Sequence, residues 1–326
     1  MKRRLLVAGT AAVAALSLGL SGCTGTPTAK TQYTIGVAVI MTHPALQAVQ
    51  DGFEEVLKEQ KIDYKLVSQN AQGDSANAAT IASSFAANKD IDLMLAISTP
   101  IALAIAQAEK DRPILFSAVT DPVKDGLVPS WDKAGANISG TSDLNPGSKP
   151  LALLKEAMPN VKTVGVLYSS SESNSLAQVD AYKTEAAALG ITLKPQAITS
   201  AAEVSVGLNS LADVDALMIP TDNTVVASMG SVISFGREHK IPVFCADASQ
   251  VALGTVAARG LSYHDLGRRT GEMAVSILRD GVKVSTIKPE APTTEDLYVN
   301  PDAAASYGLT LPANLVSQAK YVEKTK

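Results

Sequence analysis

Side chains able to hold a small polar ligand fall just after nearly every apolar run of this 326-residue chain. They are Thr42 and His43; Ser98, Thr99 and Pro100; Thr120, Asp121 and Pro122; Ser142 and Asp143; Ser170, Ser171, Asn174 and Ser175; Thr221, Asp222 and Asn223; and Asp247 with Ser249. Each is an ordinary helix N-cap type, so capping accounts for any one of them alone. As a set they say more. Hydroxyls and free helix N-termini suit a carboxylate, whereas Asp121, Asp143, Asp222 and Asp247 can receive an ammonium. The combination fits a zwitterion. Ser98 and Thr99, at the helix opened by Pro100, are assigned to the carboxylate, and Asp222, with Asn223 beside it, is the first choice for the ammonium. His43 and Asp247 are placed at the pocket edges, and Ser170, Ser171, Asn174 and Ser175 are expected to close from the opposite side.

Catalytic patterns are poorly supported. The chain has no Gly-x-Ser-x-Gly elbow, no Gly-x-Gly-x-x-Gly fingerprint and no Walker-type loop. Its three histidines, His43, His239 and His264, lack the paired spacing of metal ligands, so neither a metal nor a cofactor is expected. A hydrolase using a serine would need a base, for which His43 is the sole choice. Cys245, in an apolar run, reads as a small core residue.

The elements that must position these residues follow from hydrophobic patterning. Short apolar runs at 33–41, 63–67, 91–97, 113–119 and 137–141 are followed by a second set at 161–168, 191–198, 216–220, 242–246 and 255–261. Most lack strict alternation, as expected of parallel strands covered on both faces. Between them lie helical patterns such as Leu46, Val49, Phe53 and Val56 over 44–60, and Val225, Met229, Val232 and Ile233 over 224–239. Strand-helix alternation specifies a doubly wound α/β architecture, and two sets of five strands specify two similar lobes. The division falls near 143–149, where Asn145-Pro146-Gly147 is a strong turn signal. In such open sheets ligands bind beyond the carboxyl ends of the strands, where the polar set sits. A helix at 265–279 is expected to return to the first lobe, and a strand at 297–300 to the second.

The first 22 residues read as a targeting signal. Lys2, Arg3 and Arg4 precede an uncharged run to Leu20, too short for a comfortable span, and Leu20-Ser21-Gly22-Cys23 resembles a bacterial lipobox with Cys23 as the lipidation site. Residues 23–32 then form a tether. Removing the signal takes three basic residues and deepens the net charge from −4 to about −7, which disfavours nucleic acid as a partner.

Longer stretches carry a family resemblance. They include His43-Pro44-Ala45-Leu46 within 36–53, Ala118-Val119-Thr120-Asp121-Pro122-Val123 and Gly140-Thr141-Ser142-Asp143-Leu144-Asn145-Pro146. In the second half they are Gly165-Val166-Leu167-Tyr168 with 172–175, Asp222-Asn223-Thr224, and Leu266-Gly267 with Thr270-Gly271. Across 33–312 the chain resembles the substrate-binding lipoproteins of ABC transporters that are similar to tryptophan and tyrosine transport components. It departs from them at Gln47, where the family often has Asp, and at Ser262-Tyr263-His264, where it often reads Asp-Tyr-Tyr.

The resemblance implies a type I periplasmic-binding-protein architecture: two Rossmann-like lobes with parallel sheets, joined by a hinge of three crossovers. The expected lobes are 33–142 plus 264–288 and 143–263 plus 289–326. It also implies an extracytoplasmic, lipid-anchored, non-enzymatic receptor, expected to act as a monomer, that delivers its ligand to a permease with a cytoplasmic ATPase. An aromatic or large apolar amino acid is the expected ligand, with a branched aliphatic one next and Ile101, Met229 and Val251 as apolar walls. A sensory receptor of the same fold is the alternative to a transport receptor.

Overall fold

The computed structural model describes residues 32–144 and 149–324. The signal sequence, Cys23, most of the tether and the Asn145-Pro146-Gly147 turn lie outside the described residues.

The first half builds β1 (Tyr33–Val39), α1 (Pro44–Glu59), β2 (Tyr64–Asn70), α2 (Ser75–Ala87), β3 (Leu93–Ile97), α3 (Thr99–Ala108), β4 (Ile114–Ser117) and β5 (Ile138–Thr141). The five strands form one parallel sheet in the order β2-β1-β3-β4-β5. The central strands are mostly apolar because helices cover both faces, and β3 and β4 are buried at every position, Ser117 at the end of β4 included. Gly140 sits at φ +153 in β5, where a Cβ would lie 1.9 Å from the Phe116 carbonyl oxygen, so only glycine allows that strand to pair with β4.

The second half builds α4 (Pro150–Ala157), β6 (Thr163–Ser169), α5 (Ser173–Leu189), β7 (Thr192–Ile198), α6 (Val204–Asn209), β8 (Ala216–Ile219), α7 (Asn223–Val226), α8 (Met229–His239), β9 (Val243–Cys245) and β10 (Ala257–Gly260). Four strands make a parallel sheet ordered β7-β6-β8-β9. Two details differ from the sequence expectation. The helix expected over 224–239 is two helices, because Asp222 and Glu172 bind the first amides of α7 and pin that turn to the strand ends, while α8 follows its own apolar face. The run at 255–261 leaves the parallel sheet: Val256 still donates to the Val243 carbonyl at 2.8 Å, but β10 pairs antiparallel with the later β11.

The chain then runs through α9 (Tyr263–Leu278), β11 (Asp296–Val299), α10 (Pro301–Ser306), α11 (Ala313–Gln318) and β12 (Tyr321–Val322). Helix α9 packs on α1 at backbone contact. A Cβ on Gly267 would lie 1.9 Å from the Val49 carbonyl oxygen, and one on Gly52 would lie 2.1 Å from that of His264. Ion pairs from Arg268 to Glu55 and Glu59, and a contact of His264 Nε2 with Glu55, each at 2.8 Å, line the outer side of this crossing.

Two buried cores result. One gathers Phe53, Phe85, Phe116 and Leu95 with Leu266 and Met273 of α9. The other gathers Leu154, Val166, Leu217 and Phe244 with Val299 of β11 and Tyr307. Between them the chain crosses after β5, before α9 and after Glu290, whose backbone bonds both ways to β5 (Ser142 N–H to its carbonyl, 2.7 Å; its N–H to Gly140, 3.0 Å).

Candidate functional site

At the carboxyl end of β3 the chain turns abruptly into α3 through Ser98, which sits at φ +91, ψ 159, a conformation almost reserved for glycine. Its N–H donates to the Ser117 carbonyl at 3.0 Å and its carbonyl accepts from Ala102 at 3.1 Å. Its hydroxyl, by contrast, is buried without a partner among the described residues. Thr99 accepts the Thr120 N–H at 3.2 Å, and Pro100 occupies the first turn of α3, where a missing N–H costs nothing.

A polar chain continues along the same edge. Thr120 donates to Asp143 at 2.9 Å, Ser142 donates to the Thr120 carbonyl at 2.9 Å, and the Tyr263 hydroxyl donates to the other Asp143 oxygen at 3.1 Å. Burial pushes the Asp143 carboxyl up, and the charge of Asp247 adds to this, although both hydroxyl donors pull it down.

The facing strand ends are organised by two buried carboxylates. Asp222 caps α7 by accepting the Val225 N–H at 2.8 Å, and also accepts from Ser169 N–H (2.5 Å) and the Ser175 hydroxyl (2.7 Å). Burial and the nearby Glu172 charge push its carboxyl up to about 7, against the pull of those donors. Glu172, just before α5, receives five donors: the N–H and side-chain amide of Asn223, the N–H and hydroxyl of Thr224, and the Asn174 amide, at 2.5–3.2 Å. Asp247 accepts from the Ser249 N–H and hydroxyl, both at 2.9 Å, and from Gln250 at 2.7 Å.

The two edges meet. His43 Nε2 lies 3.4 Å from Asn223 Oδ1, and burial lowers the imidazole pKa against the raising charges of Asp247 and Glu172 and the Asn223 hydrogen bond. Nine of the residues singled out from sequence line one small cavity of about 20 Å³: His43, Thr99, Thr120, Asp143, Asn174, Thr221, Asp222, Asn223 and Asp247. A wider cavity of about 780 Å³ shares Thr120, Asp143, Thr221 and Tyr263 with it and runs out along Ala177, Ala181 and Ala188 of α5. Asp121 lines only this outer space, its carboxylate accepting the Lys124 N–H.

Several expected residues are employed elsewhere. Ser170 and Ser171 are exposed and do not line the cavity; the Ser170 hydroxyl turns to the Ile198 carbonyl because β6 ends beside β7 there. Ser175 serves Asp222, and Ser142 supports Thr120. Asp222, the first choice for an ammonium, has both oxygens taken by its own lobe and is completely buried. Ile101, Met229 and Val251 sit inside the cores, so Leu46, Ala118, Val226 and Tyr263 are the apolar walls instead. Glu172 was missed. Its signal, a carboxylate directly before a helix, was obscured by the serines around it. His43 faces Asn223 rather than a serine, which leaves the hydrolase reading without its base. Gln47 is exposed and bonded to Asp51, and Ser262 caps α9 by accepting the Asp265 N–H.

Two α/β sheets with a polar cluster between their strand ends define the architecture of a two-lobed solute receptor. The pattern of the family described as ABC transporter substrate binding protein matches residues 34–323, and the chain belongs to that family. It is 36% identical over 307 residues to a tyrosine-binding protein of Clostridioides difficile, covering 91% of this chain and 87% of that one. Its structure is similar to that of an ABC domain in complex with L-Trp from Streptococcus pneumonia (TM-score 0.85, 34% identity, 89% of this chain and 99% of that one). It is also similar to the ligand-free, open structure of a substrate-binding protein with adhesive properties from Clostridium difficile (TM-score 0.65, 42% identity, 90% and 100%).

Proposed function

We propose that this protein is an extracytoplasmic receptor that closes two lobes on an aromatic amino acid and presents it to a permease with a cytoplasmic ATPase. The observation that carries the reading is the convergence of both sheets' strand-end residues on one cavity, with His43 and Asn223 in contact across it. The Trp complex supports it: this chain superposes better on that structure than on the open, ligand-free one, despite lower identity to the former. The lobes are therefore taken to be closed, and to comprise 33–142 plus 264–288 and 143–263 plus 289–326. Ser98 and Thr99, at the start of α3, hold the carboxylate, the Ser98 hydroxyl being buried and unpartnered among the described residues. The ring extends past Thr120, Asp143 and Tyr263 into the wider cavity, whose alanine-lined α5 wall leaves room for it. A ligand that touches both lobes stabilises the closed form relative to the open one, and that difference is what a transporter senses. Lipid on Cys23 holds the receptor at the membrane as a monomer.

Competitive calorimetry with phenylalanine, tyrosine, tryptophan, leucine and valine tests the ligand class. At least one aromatic amino acid should bind more tightly than leucine and valine; the reverse order would replace the aromatic assignment by a branched aliphatic one. Cys23→Ala should abolish acyl labelling and release the protein from membranes, and persistent acylation would exclude that site.

A further inference from the structure

The hydrogen bonds of Asn223 settle which nitrogen of His43 carries a proton. The Asn223 amide nitrogen donates to Glu172 Oε2 at 2.5 Å, and its backbone N–H donates to the same oxygen at 3.0 Å. The reverse amide orientation would set an oxygen against a carboxylate, so Oδ1 is the end that faces His43 Nε2. An amide oxygen only accepts. Nε2 is therefore the protonated nitrogen, and in a neutral ring Nδ1 is a bare acceptor. It is buried with no partner among the described residues, on a side chain only 8% exposed.

Asn174 repeats the pattern from the other lobe. Its amide nitrogen donates to the Thr221 carbonyl at 2.9 Å and to Glu172 at 3.2 Å, which leaves Oδ1 as acceptor; that atom is also buried without a partner among the described residues. Both side chains line the same small cavity, with Asp143 and Asp247 alongside. Two bare acceptors flanked by carboxylates select a ligand group rich in N–H donors and positive charge.

Resting on the amino acid reading above, we infer that His43 Nδ1 and Asn174 Oδ1 together receive the α-ammonium of the ligand, one acceptor from each lobe. The imidazole then does two things at once. Its Nε2–H donates to Asn223 across the cleft and its Nδ1 accepts from the ligand, so binding an amine and keeping the lobes together draw on the same ring orientation and tautomer. Asp222, saturated by its own lobe, acts behind this seat by capping the α7 turn that carries Asn223.

The test compares each amino acid with its deaminated acid: L-tyrosine with 3-(4-hydroxyphenyl)propanoate, and L-tryptophan with indole-3-propanoate. Wild-type protein should prefer the amine-bearing member by about 10- to 150-fold, the span expected of hydrogen bonds to a charged group. His43→Phe, which keeps a flat ring but has no acceptor, should lower that ratio at least severalfold by weakening the amino acid much more than the deaminated acid. His43→Gln, which can donate to Asn223 and still offer an oxygen, should retain most of the preference. Asn174→Leu provides an independent route to the same drop, with melting curves recorded for every variant. If His43→Phe and Asn174→Leu fold but weaken both ligands by the same factor, or leave the ratio unchanged, the inference is overturned while the receptor reading stands. If the wild-type protein binds neither amino acid, the aromatic assignment falls while the receptor reading stands, and the same comparison made with L-leucine and 4-methylpentanoate decides the inference: equal affinity for those two would overturn it.

Discussion

Ser98 offers a perturbation in which stability and binding should move in opposite directions. Its backbone, at φ +91 and ψ 159, lies where a Cβ is strained, at a cost of about 1–3 kcal/mol. Ser98→Gly removes the strain but gives the unfolded chain more freedom, worth about 0.5–1 kcal/mol the other way. The net gain is about 1 kcal/mol, which in a protein of this size raises Tm by roughly 2 °C. The same substitution deletes the buried hydroxyl assigned to the ligand carboxylate, and a hydrogen bond to a charged group is worth about 1.5–3 kcal/mol, or roughly 10- to 150-fold in Kd. Ser98→Ala isolates the second effect, since alanine keeps the Cβ and the strain. Calorimetric scans without ligand and titrations with tyrosine and tryptophan should show glycine more stable than serine, alanine about equal to serine, and both variants binding more weakly. Unchanged affinity in Ser98→Ala would remove the hydroxyl from the site. A lower Tm in Ser98→Gly would mean that the strand-to-helix turn is not strained as the backbone angles indicate.

Three further predictions test the frame that holds the site. Gly267→Ala places a Cβ 1.9 Å from the Val49 carbonyl oxygen, so α1 and α9 must separate; urea unfolding should show a loss of about 3 kcal/mol or more, and a loss under 1 kcal/mol would contradict the close crossing. Asp222→Ala leaves the Ser169 and Val225 amides unpaired in the interior and should cost about 2–5 kcal/mol of stability, read from the urea midpoint; a fully stable variant with weakened binding would return Asp222 to the ligand. Burial alone would raise the Glu109 carboxyl, but the N–H groups of Arg112 and Asp111 and the Arg112 guanidinium outweigh it and hold the carboxyl at about 2. Because the folded pKa is depressed, this stabilisation, about 3 kcal/mol, is fully present above pH 4.5 and disappears as pH falls through about 2. The stability gap between wild type and Glu109→Gln should close over that same interval, and a gap independent of pH would refute the assignment.

Much of the architecture was written in local pattern. The ten runs correspond to β1–β10: central strands such as β3 and β8 are covered on both faces and apolar throughout, so a continuous run marks them without reference to a partner, whereas the edge strands β2 and β7 are partly exposed and mix polar with apolar residues. The location of the site was equally legible: helix N-termini follow strand ends, and their capping residues concentrate on one edge of each sheet. The pairing of β10 with β11 was not, since hydrophobicity records that a strand is buried and not the direction from which its neighbour arrives. Nor was the break between α7 and α8, which depends on Glu172, some fifty residues away in sequence, taking the amides of Asn223 and Thr224.

By itself, then, the sequence determined which residue types gather at the strand ends and that a charged small molecule suits them, because burial and capping follow from a residue and its near neighbours. Only the tertiary structure decided which of those side chains remain available. Asp222 and Glu172 are the same kind of carboxylate as Asp143, but their oxygens are saturated by amides and hydroxyls of their own lobe. Ser170 looks outward while Ser98 is buried with its hydroxyl unpartnered among the described residues. Whether a donor or acceptor is spent depends on what the fold brings within about 3 Å of it, and that distance is set by packing between segments far apart in the chain.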